Sequence, residues 1–229
     1  MDLHSSSAAN PPVTSPALSR EAGRAAGLPR SSMAVAAFST VVEWYDFTLY
    51  LFMTTVLSGV FFGSEALSVL TALAVFAIAY VMRPFGALVF GHVGDRLGRR
   101  RVLLASMSVM TVAMLVTALL PTREQIGSTA GVLLRCVMGF SVGGEYTGVM
   151  IYLVEGAPPR RRGLVASLTS AASEVGALLA VGVAALTTAM TSGPALGSWG
   201  WRIPFLFGVL LAAGTLIARS TMQESPAFE

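Results

Sequence analysis

Residues 68–120 read SVLTALAVFAIAYVMRPFGALVF, then GHVGDRLGRRR, then VLLASMSVMTVAMLVTALL. The first run carries one charge, Arg83; the last carries none; the short middle segment holds Asp95, Arg96, Arg99, Arg100 and Arg101. Roughly 20 apolar residues are needed for a helix to cross about 30 Å of hydrocarbon, whereas a barrel strand needs only about 9–11 with strict alternation. Both flanking runs are long and neither alternates, so each predicts a membrane-crossing helix. Lipid offers no hydrogen bonds to the backbone, and a helix satisfies its own.

The same alternation continues on both sides of this stretch. Spans are expected near Ala34 to Phe62, Ser68 to Phe90, Val102 to Leu120, Ser128 to Val154, Leu164 to Met190 and Ile203 to Ala218. The fold class is therefore an all-α membrane protein of six transmembrane helices. Residues 1–32, rich in Ser, Ala, Pro and Arg, read as a disordered tail; 33–220 form the six-helix domain; 221–229 begin a further connection.

Composition agrees. Of 229 residues, 54% are hydrophobic and only 12% charged, against about 25% charged in soluble domains. All fifteen basic residues are Arg. Without Lys there is no phosphate-gripping P-loop lysine and no Schiff base, which argues against ATP hydrolysis by this chain. The net charge of +3 sits in short clusters between apolar runs, the pattern of membrane orientation rather than of nucleic-acid binding. Cys136 is the lone cysteine, and no His, Cys or acid cluster has metal-ligand spacing. No cofactor motif and no nucleophile–base pair is visible, so the chain does not read as an enzyme.

Cytoplasmic loops carry the excess of positive charge. Arg20, Arg24, Arg30, Arg96, Arg99, Arg100, Arg101, Arg160, Arg161, Arg162 and Arg219 fall on one side of the expected spans, and only Arg123 and Arg202 on the other. Both termini are expected to be cytoplasmic.

Inside the expected spans lie Glu43, Asp46, Arg83, Arg135, Glu145 and Glu174. Each such charge costs about 2.5–3.5 kcal/mol near the bilayer centre on insertion scales. Four acids against two arginines leave two carboxylates to bind protons, cations or basic groups from another segment. Glu43 and Asp46 share a helix face with Tyr50; the pair suits a proton site, or Glu43 merely ends the apolar run in the headgroup zone. Arg135, Gly139 and Gly143 recur every four residues; the glycines read mainly as helix-packing positions, while Arg135 holds a substrate anion, switches partners with an acid, or pairs structurally. Glu145 lies too far around the helix to reach Arg135 and needs another partner. Glu174, among Ala171, Ala172, Ser173 and Gly176, faces a pore or makes an interhelical hydrogen bond. Arg83 reads best as a snorkelling anchor toward the headgroups. His92 reads as solvated.

Gly91, Asp95, Arg96, Gly98, Arg99 and Arg100 spell G-x-x-x-D-R-x-G-R-R, and the glycines allow a tight reversal between two spans. This pattern, together with RCVMGFSVGGEY from Arg135, EWYDF from Glu43, Pro158 to Gly163, WGWRIP from Trp199 and ESPAF from Glu224, resembles the major facilitator superfamily, and within it the metabolite:proton symporters that include proline/betaine, α-ketoglutarate and shikimate transporters. The resemblance implies alternating access, with protons driving uptake of a small polar or carboxylated solute across a plasma (inner) membrane. It implies that the Gly91 to Arg100 segment acts as a cytoplasmic gate, and that Asp46, Arg135 and Glu145 lie on the cavity or proton path. That family has twelve spans in two halves, with the cavity between them. Six spans correspond to the amino-terminal half, two three-helix repeats whose partner would be a second six-helix half.

Overall fold

The computed structural model describes residues 29–63, 66–121 and 127–222. Helix α1 spans Arg30–Phe52 and α2 Thr54–Phe61, broken at Met53. Helix α3 spans Ala66–Leu97, α4 Arg99–Leu119 and α5 Gly127–Gly156. A 3₁₀ turn at Pro159–Arg161 leads into α6, Arg162–Met190; a single helical turn at Gly193–Ala195 and a π turn at Leu196–Gly200 lead into α7, Arg202–Ser220. No strand occurs among the described residues.

Among the described residues five helices, α3 to α7, are long and apolar enough to cross a membrane. The first expected span is α1 and α2 together. It is not among the five, because α1 spends Ser32, Ser39, Thr40, Glu43, Asp46 and Thr48 on its buried positions. The expected tail as far as Leu28, Arg123 and the ESPAF segment lie outside the described residues.

The reversal expected from Gly91 onward happens later and more sharply. Helix α3 runs on through Gly91, Gly94, Asp95 and Arg96 to Leu97, so most of the expected loop is helical. The chain turns at Gly98, where φ is 98° and ψ 148°. A side chain is strained in that conformation, so glycine is required there.

Backbone contact organises the bundle. A Cβ placed on Gly139 would lie 1.9 Å from the Ala79 carbonyl oxygen, one on Gly143 1.9 Å from that of Arg83, and one on Gly86 1.8 Å from that of Phe140. Helices α3 and α5 thus touch main chain to main chain, the packing role expected of these glycines. Helix α1 meets α6 in the same way at Gly176, under the Val41 carbonyl. Helices α1, α5 and α7 close around the interior, and α4 packs on α5 and α7. Apolar layers fill the gaps: Tyr45, Leu49, Met53, Trp201 and Phe205 in one; Val42, Met107, Met110, Met114 and Ala212 in another. By contrast α3 exposes Leu70, Leu73, Ile78, Val81, Phe85, Leu88 and Val89. In water such a face would be costly, and hydrocarbon accepts it.

Candidate functional site

On α1 the spacing of Ser39, Glu43, Asp46 and Tyr50 puts four polar groups on one stripe, since residues three and four apart share a helix face. All four are buried. At about 1.5 Å of rise per residue the stripe runs on the order of 16 Å through the bundle. Each of its acidic levels meets a guanidinium from another helix.

At the Asp46 level, Arg135 of α5 donates through Nη1 to Oδ2 at 2.7 Å and through Nη2 to Oδ1 at 3.4 Å. The guanidinium also lies 4.1 Å from the Tyr50 ring centroid. Bidentate geometry and an aromatic face stabilise a charge that the interior would otherwise reject. Tyr50 donates to the Ala72 carbonyl at 3.2 Å, and Tyr45 to that of Pro204 at 2.7 Å, tying α1 to α3 and α7.

At the Ser39 level, Glu145 of α5 pairs with Arg219 of α7, both almost wholly buried. Arg219 donates to Glu145 through Nη1 and Nη2, to the Leu103 carbonyl at 2.6 Å and to Ser39; Ser106 donates to Glu145 at 2.8 Å. Four helices are joined here.

Between these levels, Glu43 is buried with neither carboxylate oxygen hydrogen-bonded. Its nearest cation is Arg83 of α3, 3.8 Å away. Arg83 lies over the rings of Phe47 and Tyr80, 4.5 and 5.0 Å from their centroids. Glu43, Asp46, Arg83 and Arg135 line one cleft with about 20 Å³ of space for water, also walled by Phe47, Phe76, Tyr80, Met138 and Gly139. That is roughly room for one water molecule.

Several sequence expectations are corrected. The surplus of two carboxylates shrinks to one, Glu174: Arg219, assigned to a cytoplasmic end, is buried in the last turn of α7 and is the partner that Glu145 required. Glu43 does not sit among headgroups, and Arg83 does not snorkel but turns inward to Glu43 and two rings. Arg135 is engaged by Asp46. Glu174 lies on an exposed face of α6, apart from the cleft, so the interhelical hydrogen bond within this bundle is not formed. Ser39 and Ser106 also belong to these networks, and no motif marks them.

At the α3–α4 turn, Arg99 pairs with Asp95 at 2.8 Å and approaches Glu155 of α5 at 3.9 Å. Arg100 donates to the Ser220 carbonyl at 2.5 Å. The motif therefore links the ends of α3, α4, α5 and α7. Gly91 has open space at its Cβ position, and Arg96 and His92 are exposed.

A profile of the family described as "Sugar (and other) transporter" matches residues 32–229. The chain is 41% identical over 195 residues to the shikimate transporter of Escherichia coli strain K12, covering 82% of this chain and 44% of that protein. It is 35% identical over 205 residues to the proline/betaine transporter of the same organism, covering 87% and 41%. The solved xylose transporter of E. coli, in a partially occluded inward-open conformation, superposes with a TM-score of 0.78 at 23% identity, over 86% of this chain and 49% of that one. This last likeness concerns fold alone. The chain spans under half the length of the curated relatives it matches. The family and these relatives are transporters, not enzymes, and their fold is that of a multi-pass membrane protein. On the family match and these identities together, the chain belongs to the sugar (and other) transporter family of the major facilitator superfamily.

Proposed function

We propose that the chain is the amino-terminal half of a proton-coupled symporter that moves a small polar or carboxylated metabolite across the plasma (inner) membrane by alternating access. The observation that carries this reading is a stack of three acid–guanidinium pairs, two with their acids on one stripe of α1 and the third, Glu145–Arg219, at the Ser39 end of that stripe, with the three arginines arriving from different helices. Charges at this depth are costly. A stack whose acids can each exist charged or neutral changes the cost of closing a cavity around it when a proton binds, and that difference couples proton binding to conformation.

The further parts of the reading rest on the same geometry. Residues 33–220 act as one six-helix domain, with α1 and α2 as its first span. Glu43, Asp46, Arg135 and Glu145 lie on the proton or substrate path, with the exposed Glu174 turned to a second six-helix half. The Gly91, Asp95, Arg96, Gly98, Arg99 and Arg100 segment acts as the inner gate, supported by its ties to Glu155 and Ser220. Arg30, Arg99, Arg100 and Arg161 gather at one end of the bundle with Glu155 and Ser220, which supports cytoplasmic termini on charge grounds. Shikimate and proline, named for the relatives, are the first solutes to test.

The experiment is uptake of labelled shikimate and proline into proteoliposomes with and without an inward proton gradient. Accumulation that needs the gradient, and that falls in Asp46→Asn and Glu145→Gln, is expected. Uptake unchanged in both variants removes these acids from the proton path; absence of any uptake favours a subunit that only binds a partner.

A further inference from the structure

The three guanidiniums of the stack are not equally occupied. Arg135 spends both terminal nitrogens on Asp46, with 7% of its side chain exposed. Arg219 is fully enclosed by Glu145, Ser39 and the Leu103 carbonyl. Arg83 differs on every count. Its side chain is 19% exposed, it makes no hydrogen bond among the described residues, and its 3.8 Å approach to Glu43 is too long for one. Phe47 and Tyr80 lie beside it, their own centroids 6.0 Å apart, and its N–H groups stay without a hydrogen-bond partner among the described residues; a guanidinium is a two-pronged donor matched to a carboxylate. Opposite it, both oxygens of a buried Glu43 lack hydrogen bonds. Such groups are uncommon in folded proteins and call for a reason.

We propose that Arg83 is the carboxylate-binding group of the transport cavity, and that protonation of Glu43 frees it to take the carboxylate of the solute. This rests on the transport reading above and narrows it to carboxylated solutes. Protonated Glu43 is neutral, so a solute carboxylate can replace it as counter-ion with no change in the charge of the cluster. One proton enters with one carboxylate, and no covalent bond other than the O–H of Glu43 is made. A buried site tolerates either state and disfavours both mixed ones: two carboxylates on one guanidinium, or a guanidinium with none. Coupling follows from that exclusion. The other charged or titratable groups around Glu43 are already engaged or turned away: Asp46 with Arg135, Glu145 with Arg219, and Tyr80 stacked on Arg83. Helix α6 contributes only Arg162 and Glu174, both exposed.

The test uses the natively expressed protein in proteoliposomes with labelled shikimate, L-proline and D-xylose, reading both gradient-driven accumulation and exchange between equal pools. Wild type is expected to exchange shikimate or proline, with methyl shikimate a poor competitor. Arg83→Gln should cut carboxylate exchange roughly 10-fold or more at every pH, the loss of a charged hydrogen-bond pair. Glu43→Gln should abolish accumulation yet keep exchange, now independent of pH. Should Arg83→Gln fail to fold, wild-type competition by methyl shikimate decides: equal competition by acid and ester overturns the proposal. So does carboxylate exchange that survives in Arg83→Gln, or gradient-driven transport of xylose without either acid, and both leave symport standing. Movement of none of the three solutes overturns the symport reading itself.

Discussion

Arg219 and Glu145 give the sharpest energetic prediction. Both are buried, and each is the other's counter-charge. Arg219→Met would leave the Glu145 carboxylate in the interior with only the Ser106 hydroxyl at 2.8 Å. Glu145→Gln would leave a buried guanidinium with the Leu103 carbonyl and Ser39. Breaking a buried pair from either side costs about 3–5 kcal/mol, because a lone charge remains in low dielectric. Removing both charges costs less, since only the hydrogen bonds to Ser39, Ser106 and Leu103 are lost, at about 1 kcal/mol each. The double variant should therefore be no less stable than either single one, with a coupling energy of at least about 3 kcal/mol. Unfolding in mixed micelles, followed by fluorescence of Trp44, Trp199 and Trp201, measures all four corners of the cycle. Additive effects, or single costs under about 1 kcal/mol as for an exposed pair, would refute the reasoning.

Three further outcomes follow from the same geometry. Gly139→Ala should destabilise by about 1–3 kcal/mol through overpacking against the Ala79 carbonyl, while Gly182→Ala, with nothing within 4 Å, should be neutral or mildly stabilising; the same unfolding assay compares them. Gly98→Ala should cost about 1–3 kcal/mol of backbone strain at φ 98°, and it should increase proteolytic cleavage at the α3–α4 turn. Asp95→Asn removes an ion pair whose carboxylate is 65% exposed, so stability should change by less than about 1 kcal/mol and the loss should shrink with added salt.

The long apolar runs made helix positions readable: the run from Leu164 to Met190 appears as Arg162–Met190, and that from Ile203 to Ala218 as Arg202–Ser220. Periodicity and length suffice where the environment is uniform. The ends were harder. Helix α3 continues through Gly91 and Gly94 because a glycine permits a turn without forcing one; of the three glycines in this motif only Gly98 has positive φ. Partner choice was least readable. Arg219 closes an apolar run, just as an anchoring arginine would, and only its opposition to Glu145 across α5 and α7 distinguishes the two. Arg83 likewise sits one residue before Pro84, near the expected headgroup zone, yet the contact of α3 and α5 backbones turns it inward to Glu43. The glycine stripe of α5 announced that close approach; which charges it would bring together depends on three-dimensional register.

Proton movement accompanying solute entry tests the central claim most directly. With proteoliposomes of the natively expressed protein in weak buffer, addition of shikimate or proline should raise the external pH as protons enter with the solute, and the signal should vanish in Glu43→Gln. Solute entry with no change in external pH would contradict proton coupling through the buried acids.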